Sequence, residues 1–255
     1  MKSRGILLQA AGSINQPLGF GGPSFSVTLK QAAWALMFLA LYLAVLTGGI
    51  LAVGLSGLID FTPESVILSV LCGATVAAML AVYIHLIRRN GLTLGGLGFR
   101  RFRPRMLHLL WQIPSAIVVS AGLQGFFLAA LTNLGLDSPS AGSSNDPLAR
   151  IADLPTPFIV FGFVIVAVLT PLWEEVLFRG AFLSGFSRRY RPFVAVVLSA
   201  ALFAACHLVL LTFVYLFTLG ISLALVQRFH QNLWAPVFLH AANNALVLSV
   251  VLTAA

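Results

Sequence analysis

Long apolar stretches follow one another along most of this chain, which points to a bundle of membrane-spanning helices. A helix needs about 20 mostly apolar residues to cross the hydrocarbon core of a bilayer. Stretches of that kind occupy residues 32–55, 65–87, 107–134, 157–187, 193–209, 211–227 and 234–253. No polar turn separates the fifth from the sixth. As one helix, residues 193–226 would run about 51 Å, too long for one crossing, so the sequence predicts a break near Leu210–Thr212. Charged residues are 9% of the chain, against about 25% in an ordinary soluble domain. A typical soluble enzyme, a disordered tail and a fibrous repeat are excluded. The expected fold class is all-α: a polytopic integral membrane helical bundle with about seven transmembrane helices. It divides into a tail over 1–30, N-terminal transmembrane helices with a basic loop over 31–104, and a second helical unit over 105–255.

Charge gives the bundle its expected orientation. The net charge is +8, but the cations lie in short loops between apolar stretches, so the expected partner is a lipid bilayer and not nucleic acid. Seven alternating spans collect Lys2, Arg4, Lys30, the six arginines from Arg88 to Arg105, Arg188, Arg189, Arg191 and Arg228 on one side. Arg150 and the acids Asp60, Glu64, Asp137, Asp146 and Asp153 fall on the other. The positive-inside rule then places the N-terminus in the cytoplasm. The apolar run from Ile6 to Ala11 is too short for a signal-peptide core. A compact chain without organelle signals reads as a protein of the prokaryotic plasma (inner) membrane. Cys72 and Cys206 form no CxxC, so neither a disulfide framework nor a cysteine zinc site is legible.

The remaining acids, Glu174 and Glu175, sit inside the fourth apolar stretch with Arg179. Each charged group at a helix centre costs about 2.5–3.5 kcal/mol on insertion scales. All three must therefore face protein or water. Residues four apart share a helix face, so Glu175 is expected to pair with Arg179. Glu174, turned by about 100°, is left for a water or a proton. Pro171, one turn earlier, removes a backbone hydrogen bond beside the acids. A buried Glu–Arg pair that only locks helix packing is the bland alternative, but it leaves one carboxylate over.

Two further spans carry polar groups: Phe203-Ala-Ala-Cys-His207, and His240-Ala-Ala-Asn-Asn244. Glu174 lies about 21 Å of helix rise before Arg188, and His207 about 24 Å after Arg191. Antiparallel helices on either side of that basic loop can thus bring them to similar depth. His240 and Asn244 share a face, and Asn243 is turned away from it. His85, His108 and His230 lie beside basic loops or turns and are given no catalytic role.

EEVLFR at 174–179 fits EExxxR, FAACH at 203–207 fits FxxxH, and HAANN at 240–244 fits HxxxN. In order and spacing these resemble the CPBP family of intramembrane metalloproteases (CAAX proteases and bacteriocin-processing, Abi-like enzymes), which is related to the type II CAAX prenyl endopeptidase. The resemblance covers about residues 105–253 and implies an intramembrane protease core over 105–255. It implies that Glu174 and His207 activate the attacking water and that Glu175 supports the site through Arg179. It further implies that His240 and Asn244 stabilise the oxyanion or complete the polar site. Family members are commonly called metalloproteases, so Glu174, His207 and His240 are candidate ligands for Zn²⁺, although no HExxH is present; a metal-free glutamate–histidine mechanism stays open. The expected function is endopeptidase cleavage of a peptide or membrane-protein substrate. The competing readings are a transporter or proton relay, and a non-catalytic family member acting as an immunity or scaffold factor.

Overall fold

A computed structural model of the protein describes residues 27–57, 62–136 and 154–254. Most of the tail assigned to 1–30 lies outside the described residues, as do Arg150, Asp60, Asp137, Asp146 and Asp153. Among the described residues every regular element is helical.

Helix α1 is Leu29–Ser56, so it takes in the last two positions assigned to the tail. Thr28 and Gln31 form a reciprocal capping box at its start, and Gly57, at φ 68°, closes it. Helix α2, Pro63–Ala81, has Thr62 as N-cap and proline in its first turn. It runs on through a π-helical turn, Val82–Ile87, and a 3-10 turn, Arg88–Asn90. A 3-10 turn, Pro104–His108, leads into α3, Leu109–Asn133. Helix α4 is the long element Thr156–Ser187. Helices α5, Pro192–Cys206, and α6, Phe213–His230, form a hairpin, and α7 is Trp234–Ala254. Each expected span is present with ends shifted by a few residues. Among the described residues six helices are long and apolar enough to cross a membrane, and α5 is shorter.

The α5–α6 junction shows how a break is tolerated at membrane depth. At about 1.5 Å per residue α5 rises only about 22 Å, less than the roughly 30 Å of a hydrocarbon core. The chain turns at Leu208, whose φ is +55°, and passes through a 3-10 turn, Leu210–Thr212. The break thus begins slightly before the expected position. Backbone groups freed in lipid must find partners inside the protein. Gln124 of α3 supplies two of them. Its Nε2 donates to Leu211 O at 2.6 Å and its Oε1 accepts from Tyr215 N at 3.0 Å.

Packing is closest where side chains are smallest. A Cβ on Gly220 of α6 would stand 3.0 Å from Ala200 Cα of α5, so the two helices touch backbone to backbone. Ala32, Ala35 and Leu39 of α1 share one apolar cluster with Val176, Phe178 and Phe182 of α4. The N-terminal helices therefore press directly against the segment that carries the acids.

Candidate active site

The polar site is built outward from α4. That helix contains two π-helical turns, Ile165–Leu169 and Val176–Phe182, on either side of the six residues Thr170–Glu175. In a π turn the N–H bonds the carbonyl five residues back. Pro171 has no N–H, so the carbonyl of Val166 lacks its helical partner. Asn244 of α7 fills that place, its Nδ2 donating to Val166 O at 2.9 Å. The wide turns and the proline thus join α4 to α7 beside Glu174.

Glu175 and Arg179 are fully buried and paired at 2.9 Å. Arg179 also donates from Nη2 to Gly220 O at 3.2 Å, and its guanidinium lies 4.5 Å from the centroid of the Phe203 ring. That carbonyl is within reach because α6 carries glycine at the closest approach to α5. The same Glu175 oxygen that takes Arg179 accepts from His240 Nδ1 at 2.9 Å. This bond puts a proton on Nδ1 and turns Nε2 toward Glu174, whose Oε2 is 3.7 Å away.

Glu174 Oε2 is buried and has no hydrogen-bond partner among the described residues. The side chain lines a cavity of about 490 Å³ together with His207, His240, Asn243, Asn244, Thr170, Thr212 and Tyr215. Leu71, Val166, Leu216, Leu219, Val247 and Leu248 supply an apolar wall. His207 stands at the end of α5 with Nδ1 bonded to Phe203 O at 2.8 Å, which leaves Nε2 for other partners. All six candidate residues are therefore in one region. Glu174, His207, His240 and Asn244 line the cavity, and Glu175 and Arg179 lie behind them.

Both imidazoles are tethered through Nδ1 to an oxygen, the arrangement that orients histidines bound to metal through Nε2. Among the described residues, however, no group of three His, Cys, Asp or Glu side chains converges closely enough to hold a metal ion. The Glu174, His207, His240 set does not fit Zn²⁺ as it stands.

Three further side chains contribute to the site. Tyr215 donates from its hydroxyl to Asn243 Oδ1, and Asn243 Nδ2 donates to Asn244 Oδ1 at 3.3 Å. Asn243, a weaker candidate because it points about 100° from Asn244, lines the same cavity. Phe203 is the third: its ring touches Arg179, His207 and His240. The other histidines lie elsewhere. His85 Nε2 is 2.9 Å from Tyr42 Oη, its ring stacks on Phe38, and His230 Nε2 is 2.8 Å from Gln112 Oε1. His108 packs against Trp111.

Long apolar helices enclosing a buried glutamate–histidine cluster define an integral membrane protein with a polar site inside its bundle. A match to a known family lies in the second half of the chain. Residues 156–246 match the family described as Type II CAAX prenyl endopeptidase Rce1-like, and all three motifs fall within that stretch. The chain is similar to an "Uncharacterized 24.3 kDa protein" of Escherichia coli, 32% identical over 38% of this chain and 47% of that one. It is also similar to "Putative membrane peptidase YdiL" of Bacillus subtilis (strain 168), 21% identical over 56% of each chain. The chain thus spans about half the length of the curated relatives it matches. No solved structure matches it.

Proposed function

We propose that this protein is an intramembrane endopeptidase that uses Glu174 to activate water against a peptide carbonyl. The observation that carries the reading is the unpartnered Glu174 Oε2, facing His207 and His240 across an apolar-walled cavity inside the bundle. A carboxylate in that position is costly, and ionisable residues kept inside a membrane bundle mark functional sites. The family match over 156–246 supports the same class of reaction.

In the proposed reaction a water held between Glu174 and His207 attacks the carbonyl carbon as Glu174 takes its proton. The new C–O bond pushes the carbonyl electrons onto oxygen. Asn244 spends one N–H on Val166 O, and its other N–H is free to donate to that oxyanion. The proton on Glu174 then passes to the leaving amine as the C–N bond breaks. His240, its Nδ1 proton fixed by Glu175, presents Nε2 as an acceptor that stabilises protonated Glu174. Glu175 and Arg179 act through His240 as positioning residues. The substrate class is a peptide or membrane protein, and the site of action is the prokaryotic plasma membrane.

The test is comparison of wild type with Glu174→Ala and His207→Ala in proteoliposomes, with mass spectrometry of membrane and added peptides. Substrates that accumulate uncut only in the variants support the proposal, and full cleavage by either variant overturns it. Activation by Zn²⁺ would require Glu174, His207 and His240 to converge more closely than they do here. It would leave about one equivalent of metal on the wild-type protein and none on His207→Ala.

A further inference from the structure

At the opposite end of α6 from the site, the loop that precedes α3 carries Arg100, Arg101, Arg103 and Arg105 within six residues. Orientation of a membrane protein needs positive charge on one side, but it does not need that charge held in fixed geometry. Here the loop is fixed. Asn232, in the turn between α6 and α7 and nearly fully buried, accepts from Arg100 N at 3.1 Å and donates to Arg100 O at 3.1 Å. Its amide also lies 3.5 Å from Arg101 O and 3.4 Å from Met106 Sδ. Leu233 N donates to Gly98 O at 2.9 Å, and the Arg105 guanidinium stacks 3.9 Å from the Phe229 ring centroid.

The four arginines, His230, Gln231 and Asn232 enclose a cavity of about 80 Å³, several times the space one water needs. Among the described residues no carboxylate pairs with any of the four. His230 is 8% exposed, and its Nδ1 is buried without a hydrogen-bond partner among the described residues. Its Nε2 donates to Gln112 Oε1 at 2.8 Å, so Nδ1 is the acceptor of a neutral ring and takes no part in holding an anion. Crowded like charges around a small cavity are relieved by one anion.

The surroundings identify the source of that anion. Phe102, Leu107, Leu110 and Trp111 are all exposed on the same stretch, Phe102 by 64% and Leu110 by 79%. The spanning element Pro104–Asn133 begins within this loop, which places the arginines at headgroup depth with apolar side chains beside them. We propose that Arg100, Arg101, Arg103 and Arg105 form a binding site for the phosphate of an anionic phospholipid. The acyl chains of that lipid would lie along α3.

The test uses the purified full-length protein and native mass spectrometry to read retained lipid. The probes are dioleoyl phosphatidylglycerol, dioleoyl phosphatidylcholine and inorganic phosphate. Each basic residue near an anionic headgroup is worth about fivefold in binding. Phosphatidylglycerol is expected to bind at least tenfold more tightly than phosphatidylcholine. The double variant Arg101→Gln/Arg103→Gln, at exposed positions, should weaken it by about tenfold or more. The control Arg189→Gln/Arg191→Gln removes equal charge from another basic loop and should leave it within about twofold. Equal weakening by both pairs would mean diffuse attraction and overturn the site. Competition by inorganic phosphate at the same concentration would also overturn it, by making the ligand a free anion.

Discussion

Replacing Arg179 by methionine separates support of the site from chemistry within it. Methionine keeps most of the volume and removes the charge. In the native site Arg179 is bound by Glu175 at 2.9 Å, by Gly220 O at 3.2 Å and by the Phe203 ring. All are in a fully buried setting, so removing one partner of the ion pair strands the other, at a cost of about 3–5 kcal/mol. That range already contains the loss of the carbonyl bond, because such contributions do not add independently. At about 2–4 °C per kcal/mol for a chain of this size, the apparent Tm should fall by roughly 6–20 °C. The assay is thermal unfolding in mild detergent followed by tryptophan fluorescence. The double variant Glu175→Gln/Arg179→Met removes both charges and should recover at least half of the loss. A single variant within about 1 kcal/mol of wild type would refute the reasoning, and so would a double variant that melts as low as the single.

Glu174→Gln should behave in the opposite way. Oε2 makes no hydrogen bond, so the Tm should stay within about 3 °C of wild type while peptide cleavage is lost; a melting loss as large as that of Arg179→Met would make Glu174 a structural residue. Gln124→Leu orphans Leu211 O and Tyr215 N at the break before α6. At about 1–3 kcal/mol for each buried group, unfolding should occur several degrees lower, with faster proteolysis at residues 208–212. Gly220→Ala places a Cβ 3.0 Å from Ala200 Cα and should cost about 1–3 kcal/mol in the same melt.

Sequence spacing and structure agree most closely where the physics is local. Hydrophobic length alone marks the spans, because a helix must satisfy its own backbone in lipid. The i,i+4 geometry of one helix is enough to join Glu175 to Arg179, and the count of two acids against one cation already leaves Glu174 over. Spacing from the basic loop brings Glu174 and His207 to a common depth. The break between α5 and α6 was visible as excess length, but its position at Leu208 depends on Gln124 reaching across from α3.

What the sequence determined by itself, then, is the membrane bundle, its order of helices, and the residues that cannot face lipid. Tertiary structure decided their partners. His240 is tied to Glu175 and only then faces Glu174. Arg179 reaches Gly220 O because two small residues let α5 and α6 touch. Asn244 is spent on a carbonyl that Pro171 leaves open, and Tyr215 and Asn243 enter the cavity from separate helices. Each of these contacts joins residues far apart in the chain. Their geometry is set by helix packing, which a periodicity along one helix does not encode.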